Sequence, residues 1–291
     1  MMLLPAFTGA PEPGRVYHTT ALDLMRAMPD AYVDLIVTSP PYDNLRTYNG
    51  YTFDFEPIAH ESYRVLKQGG VLIWVVGDST IDGDESLTAQ RQQLYFHDSV
   101  GFKSWDTMIW RKFLPGDYGK RYCQSFEYMF VLARGEAKTW NPQMRVNKSA
   151  GKLRPRQQRS GYITDNGYLE TGGVWKVAEY GVMENVWDIQ PSEGFGGHPA
   201  PFPEKLAERH ILTWSNPGDL VLDYFMGSGT TAKMARNNDR HYIGCDISLE
   251  YVELARKRLA QPYTPSMFTA PTTTEPQAEQ VALFATTAVN E

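Results

Sequence analysis

Cysteine is scarce in this chain of 291 residues: Cys123 and Cys245 are the whole complement, which excludes a disulfide framework and a cysteine-built metal cluster. Each is expected to be a small buried hydrophobe, and no metal is expected. No run of 18 or more apolar residues occurs, so no membrane partner is expected. The opening Met1-Met2-Leu3-Leu4-Pro5 lacks the charged and long apolar parts of a secretory signal, and a cytoplasmic protein follows as the expectation. An overall excess of positive charge is missing too. The formal net charge is −6, which argues against a chain that coats nucleic acid nonspecifically. No Lys or Arg follows Leu259, where Thr, Pro, Ala and Gln dominate, and residues 261–291 read as a disordered tail.

One absence is local. Between Ala137 and Thr164 there is no acidic residue, yet Lys138, Arg145, Lys148, Lys152, Arg154, Arg156 and Arg159 all fall there. Taken alone, such a run is a solvated loop or an anion-binding surface, and its partner has to be inferred from the rest of the chain.

With 42% hydrophobic residues the chain suffices for one large core or for a core with an inserted smaller unit. Short apolar runs rich in β-branched and aromatic residues recur at Arg15–His18, Val33–Val37, Val71–Val76, Trp105–Trp110, Tyr128–Leu132, Leu220–Tyr224 and His241–Cys245, which predicts seven strands. Segments of helical period lie between several of them: Ala21, Leu24, Met25 and Met28, then Ala59, Tyr63 and Leu66. Thr20 is placed to cap the first helix, and Gly69-Gly70 to end the second. Strand and helix in alternation specify an α/β fold, with a mostly parallel sheet covered on both faces. From about Arg134 to Phe195 the period is lost, as an insertion requires. It returns at Pro203, a favoured first helical residue, with Ala207, Ile211 and Trp214 on one face.

Two motifs carry chemistry. Leu220-Val221-Leu222-Asp223-Tyr224-Phe225 reads as a strand entering Gly227-Ser228-Gly229, with a helix starting near Thr230. Strand, glycine turn and helix N-terminus bring a ligand close to backbone amides. Asp246 ends the next strand, about twenty residues on, where a carboxylate accepts from ribose hydroxyls. The loop lacks the Gly-Lys-Ser/Thr ending that nucleoside triphosphates require, and the third glycine of a dinucleotide site. The other motif, Ser39-Pro40-Pro41-Tyr42, leaves the strand Val33–Val37. Its prolines fix φ and remove two donors, so the Ser39 hydroxyl and the Pro40 carbonyl remain as acceptors and Tyr42 as a flat stacking face. Such a set suits an exocyclic amine, whose delocalised lone pair has to be drawn toward tetrahedral geometry, on a base that has left its stack.

Val37-Thr38-Ser39-Pro40-Pro41-Tyr42 followed much later by Phe225-Met226-Gly227-Ser228-Gly229-Thr230-Thr231 resembles the permuted beta class of DNA amino-methyltransferases, in which the amine site precedes the cofactor site. The resemblance runs from about Arg15 to Leu259 and includes Glu61–Gly70, Asn185–Ile189 and His198–Pro203. It implies a Rossmann-like, circularly permuted methyltransferase sheet. S-adenosyl-L-methionine would be held by Thr38, Phe202, Lys205, Asp223, Phe225, Gly227, Ser228, Gly229, Thr230 and Asp246, with catalysis at Ser39, Pro40, Pro41 and Tyr42. It also implies double-stranded DNA as partner, gripped by Arg145, Lys148, Lys152, Arg154, Arg156 and Arg159. Residues 1–133 would form the half with the amine site, 134–195 the target-recognition insertion and 196–260 the cofactor half. Ser39 is similar to the form found in cytosine-N4 enzymes, with adenine N6 as the alternative target. A homodimer and a cognate restriction endonuclease are compatible partners. Two departures stand out, Tyr224 where relatives usually carry proline, and Thr19-Thr20 where many carry Gly-Asp. Cytosine-C5 chemistry is excluded, because neither cysteine follows proline as its nucleophile does.

Overall fold

Along the central strands apolar side chains alternate between two cores. In β2 (Val33–Thr38), Ile36 joins one core, while Leu35 and Val37 join the other. In β3 (Leu66–Val76), Leu72, Trp74 and Val76 face the first core, and Val71, Ile73 and Val75 the second. Strands with both faces buried belong to the middle of a covered sheet, and each large side chain so buried stabilises by about 1.5–3 kcal/mol. These observations come from a computed structural model, which describes residues 7, 9–41, 54–112, 119–155, 174–191 and 203–262.

The sheet is completed by β1 (Arg15–His18), β4 (Lys103–Arg111), β5 (Phe126–Ala133), β6 (Val186–Asp188), β7 (Leu220–Asp223) and β8 (His241–Asp246), in the order β1-β8-β7-β2-β3-β5-β4-β6. Only β5 runs against its neighbours. All seven expected strands are present. The eighth, β6, is not foreseen, since three residues carry too little pattern, yet it buries Trp187 against the sheet edge. It also lies inside the stretch expected to be pure insertion.

Helices α1 (Ala21–Arg26), α2 (Phe55–Val65) and α3 (Thr88–Tyr95) cover the first core, and α4 (Glu204–Trp214) and α5 (Thr230–Asn237) the second. Helix α6 (Leu249–Ala260) packs Val252 and Ala255 beside β1. Thr20 caps α1 as expected, accepting the Asp23 N–H at 3.0 Å. The second helix stops at Val65, four residues before Gly69, so the glycines do not end it. Gly69 instead adopts φ +82° within β3, where Leu66 pairs with Val33 but Val71 with Leu35, and the surplus residues bulge. The expected tail lies, beyond Pro262, outside the described residues.

Candidate functional site

β2 and β7 are neighbours, with Leu35 opposite Val221 and Ile36 opposite Leu222, so both leave the sheet at the same edge. Thr38 closes β2 and Asp223 closes β7, and the Thr38 hydroxyl donates to Asp223 Oδ1 at 2.7 Å across 185 residues of sequence. Thr231, in the helix after the glycine loop, donates to the Val37 carbonyl at 3.3 Å. Asp223 is buried, which pushes its carboxyl up to about 6 despite hydrogen bonds from Thr231, Thr38 and the Phe225 N–H. Ser39 follows half-buried, Pro40 is buried and Pro41 half-buried, while Tyr42 lies outside the described residues.

From Phe225, half-buried against Trp74, the chain enters a buried turn in which Gly227 has φ +49° and Gly229 φ +79°. Both values favour glycine. A side chain at Gly229 would in addition collide with Ala255, its Cβ lying 2.8 Å from that of Ala255. Asp246 fastens the turn to β8, because its Oδ2 accepts the Gly227 N–H at 2.9 Å and its Oδ1 the Ser248 N–H at 2.8 Å. Burial raises the Asp246 carboxyl, against the pull of these two amides. The Gly227 N–H is therefore engaged inside the fold, unlike the reading in which the loop amides face a ligand. Each Asp246 oxygen keeps a further lone pair for an outside donor.

Ser228 and Thr230 are buried and accept hydrogen bonds from Arg258, which sequence reasoning misses because one Arg at a helix end carries no signal. Lys205 is exposed on the first turn of α4, and Phe202 lies outside the described residues. Of the two departures, Tyr224 is absorbed by a partner: its hydroxyl pairs with Ser62 Oγ of α2 at 2.8 Å in the core. Thr19 is 1% exposed and, among the described residues, its hydroxyl has no hydrogen-bond partner. Cys245 is buried as expected, and burial pushes its thiol well up. Cys123 is exposed, contrary to expectation, since it lies among the exposed residues 119–124 ahead of β5.

Among the described residues, the basic stretch contributes to two ribbons. Met144–Val146 pairs with Tyr180–Val182, and Leu153–Pro155 with Val174–Lys176. Arg145, Lys148, Lys152 and Arg154 are exposed, whereas Arg156 and Arg159 lie outside the described residues. Arg145, Asn147, Lys148, Ser149 and Arg154 line a cavity of about 460 Å³. Folding also brings in an acid that the local sequence lacks, for Glu184 pairs with Arg145 at 2.8 Å. On the opposite face of the first ribbon, Met144, Val146, Tyr180 and Val182 stand exposed as cross-strand neighbours.

Comparisons with known proteins identify the family and the fold. Residues 33–257 match the family model of the N6/N4 DNA methylases. The chain is 47% identical over 240 residues to the orphan methyltransferase M.BamHII of Bacillus amyloliquefaciens, a match covering 79% of this chain and 89% of that one. The fold is similar to that of the PvuII DNA methyltransferase, which is cytosine-N4-specific, with a TM-score of 0.64 at 22% identity over 89% of this chain and 92% of that one. It is also similar to a DNA modification methylase of Thermus thermophilus solved with S-adenosyl-L-methionine, at TM-score 0.58 and 26% identity over 84% of this chain and 93% of that one. Matched from its amine-motif strand through its glycine loop, this chain belongs to the N6/N4 DNA methylases and is an S-adenosyl-L-methionine-dependent DNA methyltransferase.

Proposed function

We propose that this DNA methyltransferase is site-specific and acts on the exocyclic N4 amine of a cytosine turned out of double-stranded DNA. The observation that carries the reading is the Thr38–Asp223 hydrogen bond of 2.7 Å, which holds the start of Ser39-Pro40-Pro41-Tyr42 beside the strand leading into Gly227-Ser228-Gly229. Serine rather than aspartate at position 39 favours cytosine over adenine as the target. The PvuII enzyme, with the same fold, is itself cytosine-N4-specific.

The residues at this edge fit the cofactor. Buried turn residues Gly227 to Thr230 form a floor without protruding side chains on the glycines, Phe225 and Thr38 flank it, and Asp246 offers carboxylate lone pairs to hydroxyls. Lys205, on the first turn of α4, and Phe202, just before that helix in sequence, are the remaining candidates of the set. Once bound, S-adenosyl-L-methionine supplies an electrophilic methyl group. Ser39 Oγ and the Pro40 carbonyl would accept from the two amine N–H bonds and orient the nitrogen lone pair for attack. Pro40 and Pro41 keep the acceptors rigid, and Tyr42 stacks on the flipped ring. Orientation of the amine with water excluded would supply most of the rate, and the released proton would pass to solvent. Arg145, Lys148, Lys152, Arg154, Arg156 and Arg159, within the target-recognition stretch 134–195, neutralise phosphates.

Such an enzyme works in the cytoplasm, on the nucleoid. Its 47%-identical relative is an orphan methyltransferase, which favours action without a cognate endonuclease. A homodimer is compatible with the reading and not required by it. The test is to incubate DNA with the protein and labelled cofactor, digest to nucleosides and weigh the labelled product. N4-methylcytosine is expected. N6-methyladenine moves the target to the alternative base, and an unlabelled digest overturns the reading.

A further inference from the structure

Arg258 stands in the last turn of α6, with a side chain only 7% exposed. Its Nη1 donates to the Ser228 carbonyl and hydroxyl, both at 3.2 Å, and to Thr230 Oγ1 at 2.9 Å. Its Nη2 pairs with Glu204 Oε1. Glu204 opens α4 and also receives Lys233 Nζ of α5 at 2.7 Å. Burial acts to raise the Glu204 carboxyl, but the hydrogen bonds from Lys233 and Arg258 outweigh it and hold the group below the usual carboxylate range. One guanidinium thus joins three elements: α6, both sides of Gly229, and the first turn of α4. Ala255, three residues earlier on α6, touches the same turn at Gly229.

An ion pair whose carboxylate side chain stays 43% exposed adds little net stability by itself. What a guanidinium adds is direction, since its planar fork of donors fixes several acceptors at once. Here it fixes the Ser228 carbonyl and the Thr230 hydroxyl around a glycine in the left-handed region, where the backbone by itself is permissive. We propose that Arg258 is a positioning residue of the cofactor site: paired with Glu204, it holds the Ser228–Thr230 turn against the start of α4, so that the site is formed before the cofactor arrives. The inference rests on the reading that this turn holds S-adenosyl-L-methionine.

The full chain carrying Arg258→Met, Arg258→Lys or Glu204→Gln is measured for S-adenosyl-L-methionine affinity, kcat at saturating cofactor, and DNA affinity, with Asp246→Ala as the control on the cofactor reading. Arg258→Met should raise the cofactor Kd about tenfold or more, because the ordering cost moves into the binding step, while kcat at saturation stays within about threefold and DNA affinity is unchanged. Arg258→Lys should recover part of the loss, since an ammonium reaches Glu204 without spanning the turn acceptors. Glu204→Gln should shift the Kd in the same direction by less. If Asp246→Ala weakens cofactor binding while folded Arg258→Met or Arg258→Lys binds as the parent does, the positioning role is overturned. It is likewise overturned if cofactor and DNA affinity fall together. Should Arg258→Met fail to fold, Arg258→Lys decides by the same criterion. Unchanged cofactor affinity in Asp246→Ala removes the cofactor reading of the turn, and the proposal with it.

Discussion

The glycine turn and the basic ribbons are both rich in polar groups, but they place them differently. In the turn, Asp223, Ser228, Thr230 and Asp246 are largely withdrawn from water and bonded to partners far away in sequence. On the ribbons, Arg145, Lys148 and Arg154 are exposed, and the two arginines bond at short range or to an exposed partner: Arg145 to Asn147 at 2.9 Å, Arg154 to Ser149 at 3.0 Å, and Arg145 to Glu184. A reacting group has to be held in one geometry, which burial and multiple bonds provide. A surface that meets a polyanion needs charge that can be screened and rearranged. Chemistry is therefore expected to be brittle to substitution at the sheet edge and recognition to be graded on the ribbons.

That contrast is sharpened most by Ser39→Ala and Tyr42→Ala. Ser39→Ala should cut single-turnover methyl transfer by about a thousandfold, the scale of losing an oriented polar group at a reacting centre, and Tyr42→Ala, which removes a stacking face, by roughly 10- to 100-fold, both with cofactor affinity kept. Transfer at the parental rate in either variant would break the contrast at its strongest point.

Next in size is the pH response of Asp223. Its carboxyl, at about 6 in the fold against an ordinary 3.8, is favoured there in the protonated form. That contribution is complete below about pH 4 and is lost as pH rises through about 6, above which the ionised group costs on the order of 3 kcal/mol. Asp223→Asn keeps an Oδ1 acceptor for Thr38 without the charge. Denaturant unfolding should show its stability gaining on the parent between pH 4 and 6 and level above that. A flat difference would mean that Asp223 is not desolvated.

Smaller again is Asp246→Ala, which frees the Gly227 and Ser248 amides and, in the proposed site, removes the acceptor for the cofactor hydroxyls. Calorimetry should find S-adenosyl-L-methionine bound roughly 10- to 100-fold more weakly, as for two charge-assisted bonds removed. The smallest effects belong to the ribbons. Single alanines at Arg145, Lys148 or Arg154 should weaken DNA binding a few-fold and lower the salt slope of log K by about one for each phosphate no longer neutralised. Unchanged slopes would return these side chains to solvent.

How much of this is legible in the sequence follows the same division. The seven longer strands announce themselves because Ile36 against Leu35 and Val37, or Trp74 against Ile73 and Val75, carry the period of a sheet buried on both faces. The turn at Gly227-Ser228-Gly229 is legible because its backbone angles demand glycine. Other features depend on folding. The three residues of β6 join the sheet through pairing with β4, and α3 buries only Ala89 and Gln92, too little for a stripe. Gly69 belongs to a bulge whose need arises from the β2–β3 register. Glu184, Glu204 and Arg258 become partners only in three dimensions, and no spacing foretells them.

The most direct test is a crystal structure with S-adenosyl-L-methionine and a duplex containing the target base. The cofactor should lie between the Gly227–Thr230 turn and the end of β2, with its methyl carbon about 3 Å from an exocyclic nitrogen held by Ser39 Oγ and the Pro40 carbonyl. A cofactor seated away from that edge, or a flipped base out of reach of Ser39, would contradict the assignment of both motifs.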